Sequence, residues 1–129
     1  MKSKLSLALL ALALLLPAAV RADHTGAQVA ARLHADAHNL ENVVRYAYLR
    51  YQVKQAVYNF TAQATALFQC ASSQPRNGTW DHTGDCEMYE QRVRQSFYPV
   101  DRYLYDTYYD LPYVYQAYIQ VKQDVQQIQ

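Results

Sequence analysis

The side chains of this 129-residue chain with the clearest capacity for chemistry are four histidines, His24, His34, His38 and His82, and two cysteines, Cys70 and Cys86. His34 and His38 stand four apart, so on a helix their rings leave the same face. A pair of this kind needs further ligands before it holds a zinc-like ion firmly. Asp36 falls between them in sequence but on another face, and the absence of HExxH excludes the zinc-protease reading. Asp124 is the one acidic residue that an antiparallel partner helix brings opposite this region. His24 stands second in the chain if an export signal is removed after Ala22, and third if removal falls one residue earlier; in either place it chelates copper(II) together with the new amine. A small periplasmic metal- or haem-binding helical bundle using His24, His34, His38 or His82 is therefore the second functional reading. The first reading, developed below, expects no cofactor.

The cysteines show neither CxxC nor CxxCH spacing. In an oxidising compartment their default is a bond to each other. With 15 residues between them, Cys70 and Cys86 would close a loop worth about 3 kcal/mol on the chain-entropy model. Other nucleophiles lack a setting. There is no GxSxG, Ser72, Ser73 and Ser96 have no recognisable base nearby, and no glycine-rich phosphate loop occurs. Asp101, Asp106 and Asp110 alternate with tyrosines and read as solvated surface groups. No catalytic constellation emerges, and the chain is read as a non-enzyme.

Tyrosine is the most distinctive feature. The segment Tyr103 to Tyr118 reads YLYDTYYDLPYVYQAY, and the chain carries 13 tyrosines against 3 phenylalanines. Tyrosine joins large apolar area to a hydroxyl that must reach water or a partner, and it is favoured where proteins bind. Most of the rings are expected in the core or an interface. Tyr103, Tyr109 and Tyr113 fall on faces other than that of Leu104 and Leu111, which makes them the candidate partner surface.

The compartment follows from the first 22 residues: Lys2 and Lys4, a Leu/Ala run from Leu5 to Leu16, Pro17, and a Val20-Arg21-Ala22 ending. This is the plan of a secretory signal peptide, and the run is too short to span a bilayer comfortably. Removing it leaves 107 residues with 9 basic and 11 acidic side chains. A strongly basic nucleic-acid binder is excluded, as are a multidomain chain and a transmembrane segment after signal removal. In the mature part Leu, Ile, Val and Phe number only 21, close to the level at which folding fails, so tyrosine must supply core area. Low glycine together with abundant Ala, Gln and Arg favours helix.

The elements follow from apolar spacing. Val43, Tyr46, Val53, Val57, Phe60, Ala64, Leu67 and Ala71 recur every three or four residues, interrupted by Arg50. Upstream the stripe shifts by about a third of a turn, to Leu33, Ala37, Leu40, Val44 and Ala47, so a bend is expected between Asn39 and Val43. The spacing predicts a helix over about 26–71, with Thr25 and Gln28 as a capping box. The Ser/Pro/Asn/Gly-rich stretch Ser72 to Thr83 is a loop. A second helical region, about 84–129, carries its stripe from Cys86 through Val93, Phe97, Val100, Leu104 and Leu111 to Ile128. Pro99 and Pro112 either kink this second helix, as its unbroken phase favours, or break it, with Asp110 as a cap. Asp23-His24-Thr25-Gly26 recurs as Asp81-His82-Thr83-Gly84, an offset of 58 that points to a two-part plan.

The expectation is an all-α single domain over 23–129: a long antiparallel helical hairpin stapled by Cys70 and Cys86. It sets Phe60 near Phe97 and leaves a further stripe of Tyr98, Tyr105, Tyr108, Tyr115 and Ile119 to be covered. A homodimer forming a four-helix bundle would cover it, as would a compact monomer with broken helices. The function that fits is that of a noncatalytic binding or structural protein, exported to the cell envelope and read as bacterial and periplasmic. Its partners would be a second copy or an unidentified envelope protein.

Overall fold

The computed structural model describes residues 26–73 and 86–128. Residues 1–22, read as a signal segment, Thr25, His24, His82 and most of the stretch 72–83, read as a loop, lie outside the described residues. Four helices make up what is described: α1 (Gly26–Arg45), α2 (Tyr51–Ser72), α3 (Glu87–Leu104) and α4 (Pro112–Gln127). No strand occurs among the described residues. The chain is all-α, as its composition and periodicity imply.

Each helix packs on the next and α4 returns to α1, while diagonal pairs stay apart. Every neighbouring pair runs antiparallel. The hydroxyl of Thr61 on α2 lies 3.3 Å from the Ala37 carbonyl of α1. Cys70 on α2 is bonded to Cys86 at the foot of α3. The Tyr118 hydroxyl of α4 donates to Asp101 of α3, and Arg32 of α1 reaches Gln127 of α4 at 3.5 Å. This is an up-down-up-down four-helix arrangement within one chain.

The stretch expected as one helix over 26–71 is two helices, separated at Tyr46–Arg50. The phase slip explains the break. Leu33, Ala37, Leu40, Val44 and Ala47 are all buried, as are Val53, Val57, Phe60, Ala64 and Leu67. From Ala47 to Val53 is six residues, or about 600° of helix, which leaves the two stripes about 120° apart on a continuous rod. Opening the chain there lets both stripes face one core. The expected bend at Asn39 to Val43 lies inside α1 instead, and Tyr46, counted in the apolar stripe, is exposed. The Lys54 ammonium donates to the Arg45 carbonyl at 3.0 Å, satisfying one of the bare acceptors at the end of α1.

The two prolines behave differently. Pro99 lies within α3, which continues to Leu104. Pro112 opens α4, in the position where a missing N–H removes no helical bond. It also restricts the residue before it, and Leu111 takes φ −136°, ψ 70°, outside the helical region. Leu111 rather than Asp110 is the N-cap, with no side-chain capping bond. The turn at 105–110 keeps the Leu104-to-Leu111 spacing of an unbroken helix because its residues stay tightly wound. The Thr107 amide bonds to the Leu104 carbonyl at 3.1 Å and the Leu111 amide to the Thr107 carbonyl at 2.9 Å. An uninterrupted apolar phase therefore did not mean an uninterrupted helix.

The long hairpin is thus folded across its middle. Of its cross-chain pairings, Phe60 with Phe97 is present, with ring centroids 5.5 Å apart. The fold adds α1 against α2 and α3 against α4. One chain supplies the four helices that two hairpins were expected to bring together.

Candidate partner surface

The α1–α2 and α3–α4 connections lie at the same end of the bundle, opposite the Cys70–Cys86 bond. Both are lined with tyrosine. Tyr46 and Tyr48 lie in the first, and Tyr51 opens α2 beside it; Tyr105, Tyr108 and Tyr109 lie in the second, and Tyr113 stands in the first turn of α4. All seven are more than half exposed, and Tyr48 is fully exposed. Scattered exposed apolar side chains are ordinary, but this many rings gathered at one end exceeds what a monomer surface normally shows.

Tyr108 and Tyr109 of the α3–α4 turn are tied into the core by ring contacts. Phe60 meets Phe97, Phe97 stacks on Tyr118 at 6.2 Å, and Tyr118 meets Tyr115 at 5.7 Å. Tyr115 meets Tyr108 edge-on at 5.2 Å, and Tyr108 meets Tyr109 at 4.9 Å. The path runs from a fully buried phenylalanine to a ring 88% exposed. Edge-to-face contacts of this kind fix ring orientation, so the outer tyrosines are presented by a packed support.

Of the sequence candidates, Tyr109 and Tyr113 stand in this surface and Tyr103 at its margin, on the last turn of α3 and 36% exposed. Tyr46 and Tyr48 were missed. The stripe assigned Tyr46 to the core, and only the phase slip between Ala47 and Val53 signals that Tyr46 and Tyr48 leave the helix. Tyr118, by contrast, is buried. Burial, followed by the hydrogen bond to Asp101 and the charge of that carboxylate, pushes its phenol far above the usual range. Lys122 lies 3.3 Å from the same Asp101 oxygen and 3.4 Å from the Tyr118 hydroxyl. Tyr118, Asp101 and Lys122 thus tie α3 to α4.

His34 and His38, the histidines among the described residues, form no comparable site. His34 stacks on Phe68 of α2 at 4.7 Å and meets His38 edge-on at 4.5 Å. Thr65 of α2 lies between the two rings, 3.3 Å from His34 Nδ1 and 3.5 Å from His38 Nε2. Burial first, then the neighbouring His38, lowers the pKa of His34, which favours a neutral ring packed on its neighbour. Asp124 does face α1, but its carboxyl neighbour is Asp36 rather than the histidine pair. Among the described residues no group of three or more His, Cys, Asp or Glu could hold a metal ion. None of these helices is long and apolar enough to cross a membrane.

No protein-family model, curated protein or solved structure matches this chain.

Proposed function

We propose that this is a noncatalytic helical protein, exported to the cell envelope, which works by binding through the tyrosine-lined end of its bundle. The supporting observation is the gathering of seven exposed tyrosines on and beside the two connections at one end, of which Tyr108 and Tyr109 are joined to the core by ring contacts. The signal-like leader and the bonded cysteine pair support export to an oxidising compartment. Self-association as a homodimer, or attachment to an envelope protein, is the activity such a surface serves.

A photoreactive residue placed at Tyr109, compared with one at Gln126 near the opposite end, tests this reading in cells that export the full chain. Covalent adducts should form from position 109 and not from 126. Equal labelling at both positions, or none at either, rejects the tyrosine end as the binding surface. Mass analysis of the exported protein should show cleavage after Ala22.

A further inference from the structure

The tyrosine end is divided by charge as well as by chain connection. On the α1–α2 side stand Arg45, Arg50 and Lys54; on the α3–α4 side stand Asp106 and Asp110. Most other charges near this end are already engaged. Arg45 lies 3.8 Å from Glu41, and Lys54 donates to the Arg45 carbonyl. Arg102 donates to the Tyr98 hydroxyl at 3.1 Å, and Asp101 holds Lys122 and Tyr118. Arg50, Asp106 and Asp110 are exposed and make no ion pair among the described residues.

A face with a basic half and an acidic half is complementary to itself when one copy is turned over onto another. A two-fold axis lying in the face, along the line between the halves, sets the basic half of each copy over the acidic half of its mate. This is the isologous arrangement of closed dimers, in which each contact occurs twice. The available area is sufficient. The seven tyrosines together expose the equivalent of about five whole side chains, on the order of 1,000 Å² at about 200 Å² each. A specific interface of standard size takes about 800 Å² from each partner. Tyrosine rings would supply the contact area, and the charges would set the register.

We infer that two copies of this protein pair end to end through their tyrosine faces, with Arg50 of each copy against Asp106 and Asp110 of the other. The inference rests on the reading of this end as the binding surface and names what occupies it. The pairing leaves both Cys70–Cys86 ends pointing outward. Each bundle has helices of about 20 residues, or roughly 30 Å, so the pair would be about twice as long as one copy.

Sedimentation equilibrium and solution scattering on the purified mature protein test the pairing. The expected result is an elongated dimer. Arg50→Glu alone, and Asp106→Lys with Asp110→Lys in a second variant, should each raise the dimer Kd about 100-fold, because each reversal acts twice in the interface. Mixing the two variants should restore dimers, now between unlike copies, since both contacts are again of opposite sign. Circular dichroism establishes that each variant remains helical. A wild-type protein that stays monomeric at hundreds of micromolar overturns the pairing, as does a side-by-side dimer by scattering, or one indifferent to both charge reversals. The Tyr109 cross-link distinguishes the two failures. Adducts from position 109 on a monomeric protein leave the binding surface standing and remove only the second copy as its occupant.

Discussion

At Asp124 a carboxyl group sits in the seam between α4 and α1, 4% exposed, with Asp36 and Arg32 of α1 as its charged neighbours. Its Oδ2 has no hydrogen-bonding partner among the described residues. Burial, then its hydrogen bond with Asp36 and the charge of that group, raise its pKa to about 8, while Arg32 opposes the shift. In the unfolded chain the same group titrates near 3.8. Between those values the folded protein holds a proton that the unfolded chain has released, so stability falls as pH rises from about 4 to about 8 and is level beyond. Thermal melts across that range should show the wild type losing stability steadily from about pH 4 to about pH 8. Asp124→Asn, which needs no proton, should flatten the profile and melt higher than wild type at pH 8. An unchanged pH slope in Asp124→Asn would show that another group controls it. The placement of Asp124 opposite 34–38 was legible in the antiparallel register, but its partner was not. Pairing with Asp36 requires knowing which face of α1 meets α4, and that face was fixed only once α2 had taken the side carrying His34.

Among the elements, the two prolines offer a direct comparison. Pro99 lies inside α3, where it cannot donate to the carbonyl one turn back, and a helix-interior proline costs about 3 kcal/mol. Pro112 opens α4, where the same missing donor removes nothing. Pro99→Ala should therefore stabilise the protein by about 1 to 3 kcal/mol, less whatever the ring contributes by packing, while Pro112→Ala should change stability by less than about 1 kcal/mol. Chemical denaturation of the two variants side by side reads the difference. Equal effects would mean that α3 does not carry Pro99 as an interior residue. The helices themselves were readable because their stripes are regular: of the predicted core positions from Leu33 to Leu67 and from Val93 to Val125, most are buried, Val43 and Leu111 are partly buried, and Tyr46 is exposed. Their boundaries were less so. The first break follows from a 120° slip that periodicity records but places loosely, and the second hides behind a seven-residue spacing that a tightly wound turn preserves. Tyr46 was misplaced for the same reason, since a stripe extended across a break assigns an exposed ring to the core.

Across the whole molecule the burial pattern repeats. Leu33, Ala37, Leu40 and Val44 of α1 correspond, 60 residues on, to Val93, Phe97, Val100 and Leu104 of α3, all buried. Val53, Val57, Ala64 and Leu67 of α2 correspond, 61 residues on, to Val114, Tyr118, Val125 and Ile128. The bundle is therefore two similar helix pairs in tandem. The tetrapeptide offset of 58 pointed to that plan but not to its register, since it sets Leu33 against the exposed Gln91. Each pair closes over a short turn, 46–50 or 105–110, whereas the second pair joins the first across residues 73–86. The Cys70–Cys86 bond spans that longer connection, with Cα atoms 5.7 Å apart. Its stabilising effect should accordingly fall on the docking of one pair against the other. Cys70→Ala with Cys86→Ala should lower stability by about 3 kcal/mol, the chain-entropy value for a loop of this size, and the melting temperature by roughly 10–20 °C. Helix content at 25 °C should be retained, because Phe60 against Phe97 and the Tyr118–Asp101–Lys122 tie do not depend on the bond. Hydrogen exchange locates the effect. Amides along the α2–α3 and α1–α4 seams should open before those within either pair, and uniform loss of protection throughout would instead make the bundle a single cooperative unit with no internal division for the disulfide to bridge.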